Sequence, residues 1–515
     1  MRTISIIEPK PKPVAGGSPI STISATDDGI TEIRVRTRPV IQSGISVILA
    51  VKNQSKFLPE MLDSIFSQVL APDEVIVVND SSTEPVREIV EKYPDVTRYI
   101  EVDYSNAAQA RMAGFACSNR ELLLFCDGDN RFPRDYIKRL KDSMFAGPFD
   151  VTYGRIRKIG DGYGYFYQPR IFDVGALSCR NFVESCSLVR REIFERVGGW
   201  DPEVDTLMDW NLWMRIAHAG GKFAFCADAE FEYRVHDEQM TVHKLGLQRQ
   251  IKAQKQTLNT TLFTAFCGRL WQVERYFNWL SSIPHKEKLN VIFYDNSGDC
   301  YVKQLITDWL QTSEFKSWTY HNDPIPACKE TSPGEFASGD TAIRLQRVDA
   351  IHRKMVDIYN WAAQNVTTDL LWIVEDDIIP PTDALDKLMD ALRPDVGAVC
   401  AAVHSRFHDG LIAWLRGYWV SGDPPINLET QAAVLKTLPD EFFPVGQVGG
   451  CCTLLRTHAF KRVALRCYTL PDRGGIGWDS AMCHDLARLG FKIMLHTGVQ
   501  CQHWNKDAAG EETYV

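Results

Sequence analysis

The chain contains 515 residues, which is too long for a single hydrophobic core, because cores stop growing at roughly 250–300 residues and longer chains divide into domains. Hydrophobic residues make up 45% of the sequence and charged residues 24%, as in soluble globular proteins. The formal net charge of −9 argues against a general nucleic-acid-binding surface, which needs a basic excess, although a local basic groove would remain compatible with it.

The 14 cysteines are scattered and form no paired C-x-x-C array, which argues against a structural zinc site. In a chain of this length, such cysteines are typical of small buried side chains in a reducing cytosol. Residues 1–12 lack the apolar run of a signal peptide, and no window of about 18 consecutive apolar residues occurs. We therefore predict a cytoplasmic protein without a membrane span.

Residues 1–43 are rich in Pro, Gly, Ser and Thr, which predicts a flexible tail with at most one short strand at 31–36. From Ile45 onward, continuous apolar runs of strand length alternate with segments of helical spacing. The predicted strands are 46–51, 74–80, 97–102 and 121–127, and the predicted helices are 57–69, 86–92 and 107–116.

This alternation predicts an α/β fold with a doubly wound, mostly parallel sheet. Ligands of such sheets bind beyond the carboxyl ends of the strands. Asp80 and Asp127 each end a predicted strand. We therefore expect both carboxylates at the ligand-binding edge.

The second half repeats this scheme, with strands at 261–266, 290–295 and 369–377 and helices at 269–282 and 348–365. Its strands end in Asp295 and in the acidic run that begins at Glu375. Late in the first half Asp209 precedes His236, as Asp479 precedes His503 late in the second. The sequence predicts two tandem domains of one type, at 44–246 and 258–515, joined by a linker at 247–257.

Several ordered motifs of the first half resemble family 2 glycosyltransferases, which have the nucleotide-diphospho-sugar transferase (GT-A) fold. The matching segments are Val77-Val-Asn-Asp-Ser-Ser-Thr83, Ala110-Arg-Met-Ala-Gly114, Asp127-Gly-Asp129, Val197-Gly-Gly-Trp-Asp-Pro202 and Met208-Asp-Trp-Asn-Leu-Trp-Met-Arg215. Two positions depart from the family pattern, Met112 for the usual Asn and Met208 for the usual acid. The resemblance covers about residues 44–245 and is looser in the second half.

The resemblance implies a metal-dependent transferase that uses a nucleotide-diphosphate sugar, most often a UDP-sugar. Asp129 would ligate Mn²⁺ or Mg²⁺, because a hard cation on oxygen ligands stabilises the departing diphosphate. Asp127 would contact the ribose or a metal-bound water, and His236 would complete the metal shell. The alternative is that the acidic segment is only a polar turn.

Three further residues acquire roles from the same resemblance. Asp80 would bind the base or ribose, although it could also cap a helix. Arg111 would neutralise the diphosphate, or else lie on a solvated helix face. Asp209 would be the general base of an inverting displacement, or else a carboxylate that favours a helix N-terminus. Trp210 would be an acceptor-side wall or a core residue.

In the second half, Asp295 and Glu375 fit the donor-binding positions, Asp377 and His503 the metal positions and Asp479 the base. Asp376 and Asp485 compete for these roles. Two hypotheses follow: both domains catalyse, or only the first does and the second binds acceptor or glycan.

Two other classes receive less support. A nucleotidyltransferase normally has a Gly-rich phosphate loop after its first strand, whereas residues 50–55 contain no glycine. A purely lectin-like protein would not need so many carboxylates at strand ends. The acceptor stays open among polysaccharide, protein, lipid-linked glycan and nucleic-acid base.

Overall fold

The computed structural model describes residues 5–7, 41–160, 169–235, 246–267, 269–323, 341–403, 413–414, 442–470, 474–506 and 512–514. The chain divides into two compact units, Met1–Thr257 and Leu258–Val515. We call them the N-terminal unit and the C-terminal unit. Among the helices of the described residues, none combines the length and apolar character needed to cross a bilayer.

The described part of the N-terminal unit alternates strands with helices. The strands are β1 (Ser5–Ile7), β2 (Gln42–Val51), β3 (Glu74–Asp80), β4 (Arg98–Val102), β5 (Arg120–Asp127), β6 (Val151–Ile159), β7 (Leu188–Arg190) and β8 (Phe223–Arg234). The helices are α1 (Leu58–Phe66), α2 (Val86–Val90), α3 (Ala107–Ala116), α4 (Tyr136–Phe145), α5 (Val174–Cys179), α6 (Arg191–Arg196), α7 (Met208–His218) and α8 (Gly246–Thr257).

One sheet runs through this unit in the order β1-β4-β3-β2-β5-β7-β6-β8. Strands β4, β3, β2 and β5 are parallel, and β7 is antiparallel to both of its neighbours. The central strands are apolar along their whole length because helices cover both faces, and every residue of β3 is buried. The parallel strands therefore end at one edge, where Asp80 and Asp127 lie.

Two segments differ from the sequence expectations. Strand β1 lies within the expected tail and pairs with β4, and the expected strand at 31–36 lies outside the described residues. The expected linker at 247–257 forms α8, which is counted in the N-terminal unit. Ala253 is fully buried, and Lys252 forms an ion pair with Asp205 of the same unit. The described side chains of α8, from residue 251 onward, therefore include buried positions that pack within the N-terminal unit.

The C-terminal unit contains a second set of strands and helices. The strands are β9 (Thr260–Phe266), β10 (Asn290–Asp295), β11 (Ser317–Asn322), β12 (Leu370–Val374), β13 (Ile378–Ile379), β14 (Val396–Val403), β15 (Ala413–Trp414), β16 (Phe442–Val445), β17 (Gln447–Val448), β18 (Cys452–Arg456), β19 (Tyr468–Leu470), β20 (Gly474–Ile476), β21 (Lys492–Lys506) and β22 (Glu512–Tyr514). The helices are α9 (Leu270–Ser282), α10 (Cys300–Thr312), α11 (Thr341–Asn365), α12 (Ala384–Ala391), α13 (Thr457–Phe460) and α14 (Trp478–Arg488).

The main sheet of this unit has the order β11-β10-β9-β12-β18-β14-β21-β13. Its first seven strands match β4-β3-β2-β5-β7-β6-β8 in order and in relative direction, with β18 antiparallel to both neighbours as β7 is. The prediction of an α/β chain with two mostly parallel sheets is therefore confirmed. The acidic run at Glu375 follows β12, as Asp127 ends β5.

Candidate active site

Asp80, at the end of β3, holds the backbone that leads into α3. Its carboxylate accepts hydrogen bonds from the backbone N–H groups of Tyr104, Ser105 and Asn106 at 2.8, 2.8 and 2.9 Å. The Asn106 side chain in turn accepts from Gln109 N and caps α3. Asp80 is thus neither the cap of the helix after β3 nor an open carboxylate, because both of its oxygens already bind this loop.

The loops at this edge are tied to one another. Asn53, after β2, accepts a hydrogen bond from Thr83 N through its side chain and donates its backbone N–H to Ser82. Asn53, Ser81 and Ser105 have positive φ angles of 52°, 57° and 50°. Left-handed backbone at non-glycine residues is strained, and such strain concentrates at functional sites. The strain is located where a parallel sheet binds its ligands.

Arg111 projects from α3 and pairs with Asp127. Its Nη2 atom lies 2.6 Å from Asp127 Oδ1, and its guanidinium stacks over the Trp200 ring at 4.8 Å. The Arg111 side chain is 7% exposed, whereas that of Asp127 is 31% exposed. Arg111 is therefore not a solvated residue, and its visible contact is with a carboxylate. Arg111 fixes Oδ1 of Asp127. The pair leaves the second oxygen, Oδ2, on a side chain that is partly exposed.

The Asp127-Gly-Asp129 turn packs tightly against the loop after β2. Gly128 N donates to Gln54 Oε1 at 3.1 Å, and a Cβ on Gly128 would lie 2.9 Å from the same oxygen. Asp129 is buried, and its backbone carbonyl accepts from Arg234 Nε at 3.1 Å. A side chain at position 128 would therefore displace the Gln54 amide from this hydrogen bond.

Arg234 ends β8 and contacts the acidic turn through the backbone carbonyl of Asp129. It also pairs with Glu60 of α1. His236, the proposed third metal ligand, comes two positions later and lies outside the described residues. Its contact with the metal stays a prediction.

Asp209 is the second residue of α7, and Leu207 before this helix has a positive φ of 47°. The Asp209 carboxylate accepts from Asn181 Nδ2 at 2.8 Å and from Trp210 N at 2.9 Å. Burial raises the pKa of Asp209 to about 6, and the hydrogen bonds from Trp210 and Asn181 and the charge of Arg111 limit the rise. A carboxylate with this pKa is a stronger base than an exposed one.

Glu184 is a further acid of this site. Burial, together with the negative charges of Asp209 and Asp127, raises the pKa of Glu184 to about 8. Glu184 therefore holds its proton at neutral pH, so that Asp209 can carry the negative charge. Two acids with separated pKa values are a typical arrangement for proton transfer.

Trp210 is a core residue. Its side chain is fully buried, and its Nε1 donates to Leu177 O at 2.7 Å. This hydrogen bond satisfies the only polar atom of the indole. The structure thereby decides between the two interpretations of Trp210: it supports α7 from the inside and is not an exposed wall.

In the C-terminal unit, Asp295 ends β10 with both carboxylate oxygens engaged. Oδ1 accepts from Ser297 N and Oγ at 2.9 and 2.6 Å, and Oδ2 accepts from the Tyr320 hydroxyl at 2.6 Å. Asp295 thus stabilises the loop after its own strand, whereas Asp80 holds the loop after the neighbouring strand β4.

Asp479 matches Asp209 closely, because it is also the second residue of its helix and accepts from the following backbone N–H, that of Ser480, at 2.8 Å. Burial raises the pKa of Asp479, against hydrogen bonds from backbone groups. Both Glu375 and Asp479 raise the pKa of the buried Tyr359 hydroxyl, after burial itself. The two acids therefore face the same part of the unit.

The acids after Glu375 have an unexpected cationic partner. Arg269, just before α9, hydrogen-bonds Asp376 Oδ1, and its Nη1 lies 3.2 Å from Asp377 Oδ2. Burial opposes the charge of Arg269, but Asp376 and Asp377 hold its pKa well above the ordinary value. His503 Nε2 lies 3.7 Å from Asp377 Oδ2, so the structure brings together the two residues expected to bind metal.

Asp485 has different partners from these acids. It pairs with Arg466 at 2.7 Å and accepts from Ala464 N, and the hydrogen bond from Arg466 lowers its pKa. It stabilises the segment before β19 and is no competitor for the base position.

Comparison with known sequences gives a family match in the first of the two units. Residues 46–198 match the profile of glycosyl transferase family 2. The matched segment lies within the N-terminal unit. The resemblance drawn from the motifs is therefore confirmed for this part of the chain, and we call it the family 2 unit.

Three curated relatives show how the match is distributed. The uncharacterized glycosyltransferase YwdF of Bacillus subtilis (strain 168) is 28% identical over 184 residues, which are 34% of this chain and 68% of YwdF. Glycosyltransferase GlyA of Streptococcus pneumoniae serotype 4 is 28% identical over 131 residues, 25% of this chain and 19% of GlyA. The O-antigen biosynthesis protein RfbC of Myxococcus xanthus is 22% identical over 422 residues, 76% of this chain and 32% of RfbC. The chain thus spans less than a third of two of these relatives.

Solved structures are similar at low identity. S. aureus TarS 1-349 in complex with UDP-GlcNAc is 13% identical, with a TM-score of 0.37 over 68% of this chain and 86% of TarS 1-349. Mannosyltransferase PcManGT from Pyrobaculum calidifontis, in complex with GDP-Man and Mn²⁺, is 15% identical, with a TM-score of 0.32 over 64% of this chain and 78% of PcManGT.

The residues of the family 2 unit fit a divalent cation. Asp127 has a partly exposed side chain whose Oδ1 pairs with Arg111, and Asp129 lies two residues further along the same turn. Among the described residues, no three His, Cys, Asp or Glu side chains form a complete metal site. One or two carboxylates are nevertheless the usual protein share of a site whose other ligands are substrate phosphates and water.

Sequence reasoning missed several polar residues of these sites. They are Gln54, Asn181, Glu184 and Arg234 in the family 2 unit and Arg269 in the C-terminal unit. Arg234 lies two positions before His236 in a segment that resembles the family, but it was assigned no role, and the other four lie in no recognised motif; each reaches its partner from a distant part of the chain. Only the apolar surroundings of Glu184, at Phe182-Val183 and Cys186, could have signalled a buried acid.

Proposed function

We propose that the family 2 unit transfers a sugar from a nucleotide-diphosphate sugar to an acceptor hydroxyl, with inversion at the anomeric carbon. The observation that carries this proposal is the placement of Asp209, whose raised pKa responds to Asp127 at the end of β5. A base and a candidate metal-binding carboxylate thus share one edge of the sheet, as a direct displacement requires.

Asp127 and Asp129 would hold Mn²⁺ or Mg²⁺, which when bound stabilises the charge of the diphosphate leaving group. Arg111 orients Asp127 through its 2.6 Å contact. Asp209 accepts the proton of the acceptor hydroxyl as the oxygen attacks, and Asn181 holds the carboxylate in place. Glu184 keeps its proton and adds no competing charge.

The donor is proposed to carry uridine, the commonest base in the family that the motifs resemble. The base and ribose would bind the edge formed by the loops after β2 and β3, which the side chain of Asn53 joins. Asp80 would act there through the loop that it holds, since both of its oxygens accept backbone hydrogen bonds. A polysaccharide is the first acceptor to test, because RfbC is named for O-antigen biosynthesis.

A donor panel tests the proposal directly. Purified protein with Mn²⁺ is incubated with UDP- and GDP-sugars, and released nucleotide and products are identified by mass spectrometry. We expect one donor to be consumed, and we expect Asp129→Asn to lower the rate by at least 10²-fold. Asp135→Asn is the matched control, because Asp135 pairs with Arg139 on the exposed surface of α4. Full turnover by the Asp129→Asn protein would rule out this site.

The same assay separates a single catalytic unit from two. Asp479→Asn changes only the C-terminal unit, and we expect it to leave the product of the family 2 unit unchanged. Loss of one of two products in this variant would instead support catalysis by both units.

A further inference from the structure

The two units differ in one side chain that reaches the acidic turn. In the family 2 unit the loop after β2 supplies Gln54, which accepts from Gly128 N. In the C-terminal unit the corresponding loop, after β9, supplies Arg269, which bonds Asp376 and lies 3.2 Å from Asp377 Oδ2. The strand order of the sheets is shared, so a neutral amide and a guanidinium occupy corresponding loops.

This difference matters for metal binding. The Asp377 side chain is fully buried, and its Oδ2 atom lies within 4 Å of both Arg269 Nη1 and His503 Nε2. A divalent cation on Asp377 Oδ2 would lie beside a guanidinium that stays protonated at any accessible pH, whereas in the family 2 unit the guanidinium of Arg111 pairs with Oδ1 of Asp127 and not with the oxygen proposed for the cation. Like charges at such separations repel strongly where water is excluded. The residues that the sequence assigns to a metal do not fit one while Arg269 is in place.

We propose that the C-terminal unit binds no divalent cation and that Arg269 supplies the positive charge that stabilises its acidic turn. The chain then takes up a single cation, in the family 2 unit. The Arg269 side chain is 26% exposed, so a ligand at this edge meets a guanidinium in place of a metal. This inference goes beyond the proposed function, which concerns the other unit.

The first experiment counts bound Mn²⁺ by electron paramagnetic resonance, at saturating UDP, in the full-length protein. We expect one Mn²⁺ per chain in the wild type and none in Asp129→Asn, which leaves the C-terminal unit unaltered. Mn²⁺ that remains bound to the Asp129→Asn protein, and is lost on adding Asp377→Asn, would overturn the inference.

The second experiment removes the guanidinium. In Arg269→Gln the carboxylates of Asp376 and Asp377 lose their cation, so we expect a lower melting temperature that Mn²⁺ restores, and a second bound Mn²⁺ per chain. Arg275→Gln, in the helix α9 that follows Arg269, is the matched control, because Arg275 pairs with Glu512 at 2.8 Å, and this variant should keep one Mn²⁺. A folded Arg269→Gln protein that gains no Mn²⁺ contradicts the inference.

The two proposals fail differently. A wild-type protein without any bound Mn²⁺ contradicts the metal site of the family 2 unit but leaves the gain expected in Arg269→Gln to be measured. If Arg269→Gln does not fold, the Asp129→Asn result alone decides, because that variant keeps Arg269.

Discussion

Arg111 Nη2 and Asp127 Oδ1 lie 2.6 Å apart and join α3 to the end of β5. Asp80 holds the loop that precedes the same helix through three backbone hydrogen bonds. Two strand ends are therefore linked through one helix, and the position of Asp127 depends on both. A carboxylate that must meet a cation gains from such support because its orientation is fixed before the ligand arrives.

Replacing Arg111 with Met should destabilise the protein and lower its activity. The variant loses a hydrogen bond to a charged group, which contributes about 1.5–3 kcal/mol, and leaves Asp127 without its fixed partner. Urea unfolding followed by tryptophan fluorescence measures the stability. Arg196→Met is the control, since its pair with Glu192 is exposed and should contribute less than about 0.5 kcal/mol. Equal losses in the two variants would contradict a special role for Arg111.

Asp209→Asn should lower kcat strongly, whereas Glu184→Gln should leave it nearly unchanged. The first removes the base, and we expect a loss of about 10²–10⁴-fold in kcat. The second replaces a protonated carboxyl by an amide of the same shape, so we expect kcat within a few-fold of the wild type. Steady-state kinetics with the donor found in the panel provide both values. A Glu184→Gln protein as inactive as Asp209→Asn would show that Glu184 must ionise.

The pH profile of kcat/KM should fall on the acid side near pH 6. Burial raises the pKa of Asp209 to about 6, and the base works only when ionised, so activity is lost as pH falls through that value. Asn181 donates to the carboxylate and favours its ionised form. Asn181→Ala should therefore move the acid limb to higher pH. A limb that stays in place would remove Asn181 from the role of positioning Asp209.

Gln54→Arg should place a guanidinium beside the acidic turn of the family 2 unit, as Arg269 does in the C-terminal unit. Gln54 Oε1 lies 3.1 Å from Gly128 N, so a guanidinium introduced here would face the acidic turn. We expect weaker Mn²⁺ binding, by at least tenfold, and a matching loss of activity that higher Mn²⁺ partly restores. Gln54→Glu, which adds no positive charge, is the control and should not weaken binding in this way.

The sequence predicted the central strands well, because strands buried on both faces appear as continuous apolar runs. Strands β3 and β10 were predicted to the residue, and α3 likewise. The β6–β8 region was not predicted, since β7 has only three residues and the buried positions of β8 follow no regular alternation. Short or half-buried strands leave no continuous run to detect.

The candidate site was predicted in part. Motifs located Asp127, Asp129 and Asp209 because the residues of each motif are neighbours in sequence. They could not locate Arg269 beside Asp376, because 107 positions separate the two residues. Nor could they show that the carboxylate oxygens of Asp80 and Asp295 accept hydrogen bonds from other groups of the protein, because this depends on the course of the loops at the sheet edge.

The common strand order of the two sheets gives this protein an internal reference. Both units are measured in the same sample, at the same buffer, temperature and concentration. A difference in Mn²⁺ binding between them therefore reports a difference between the two units themselves. Exchanging only the residues that follow β2 and β9 would then test, within one polypeptide, how little of a scaffold must change to gain or lose a cation.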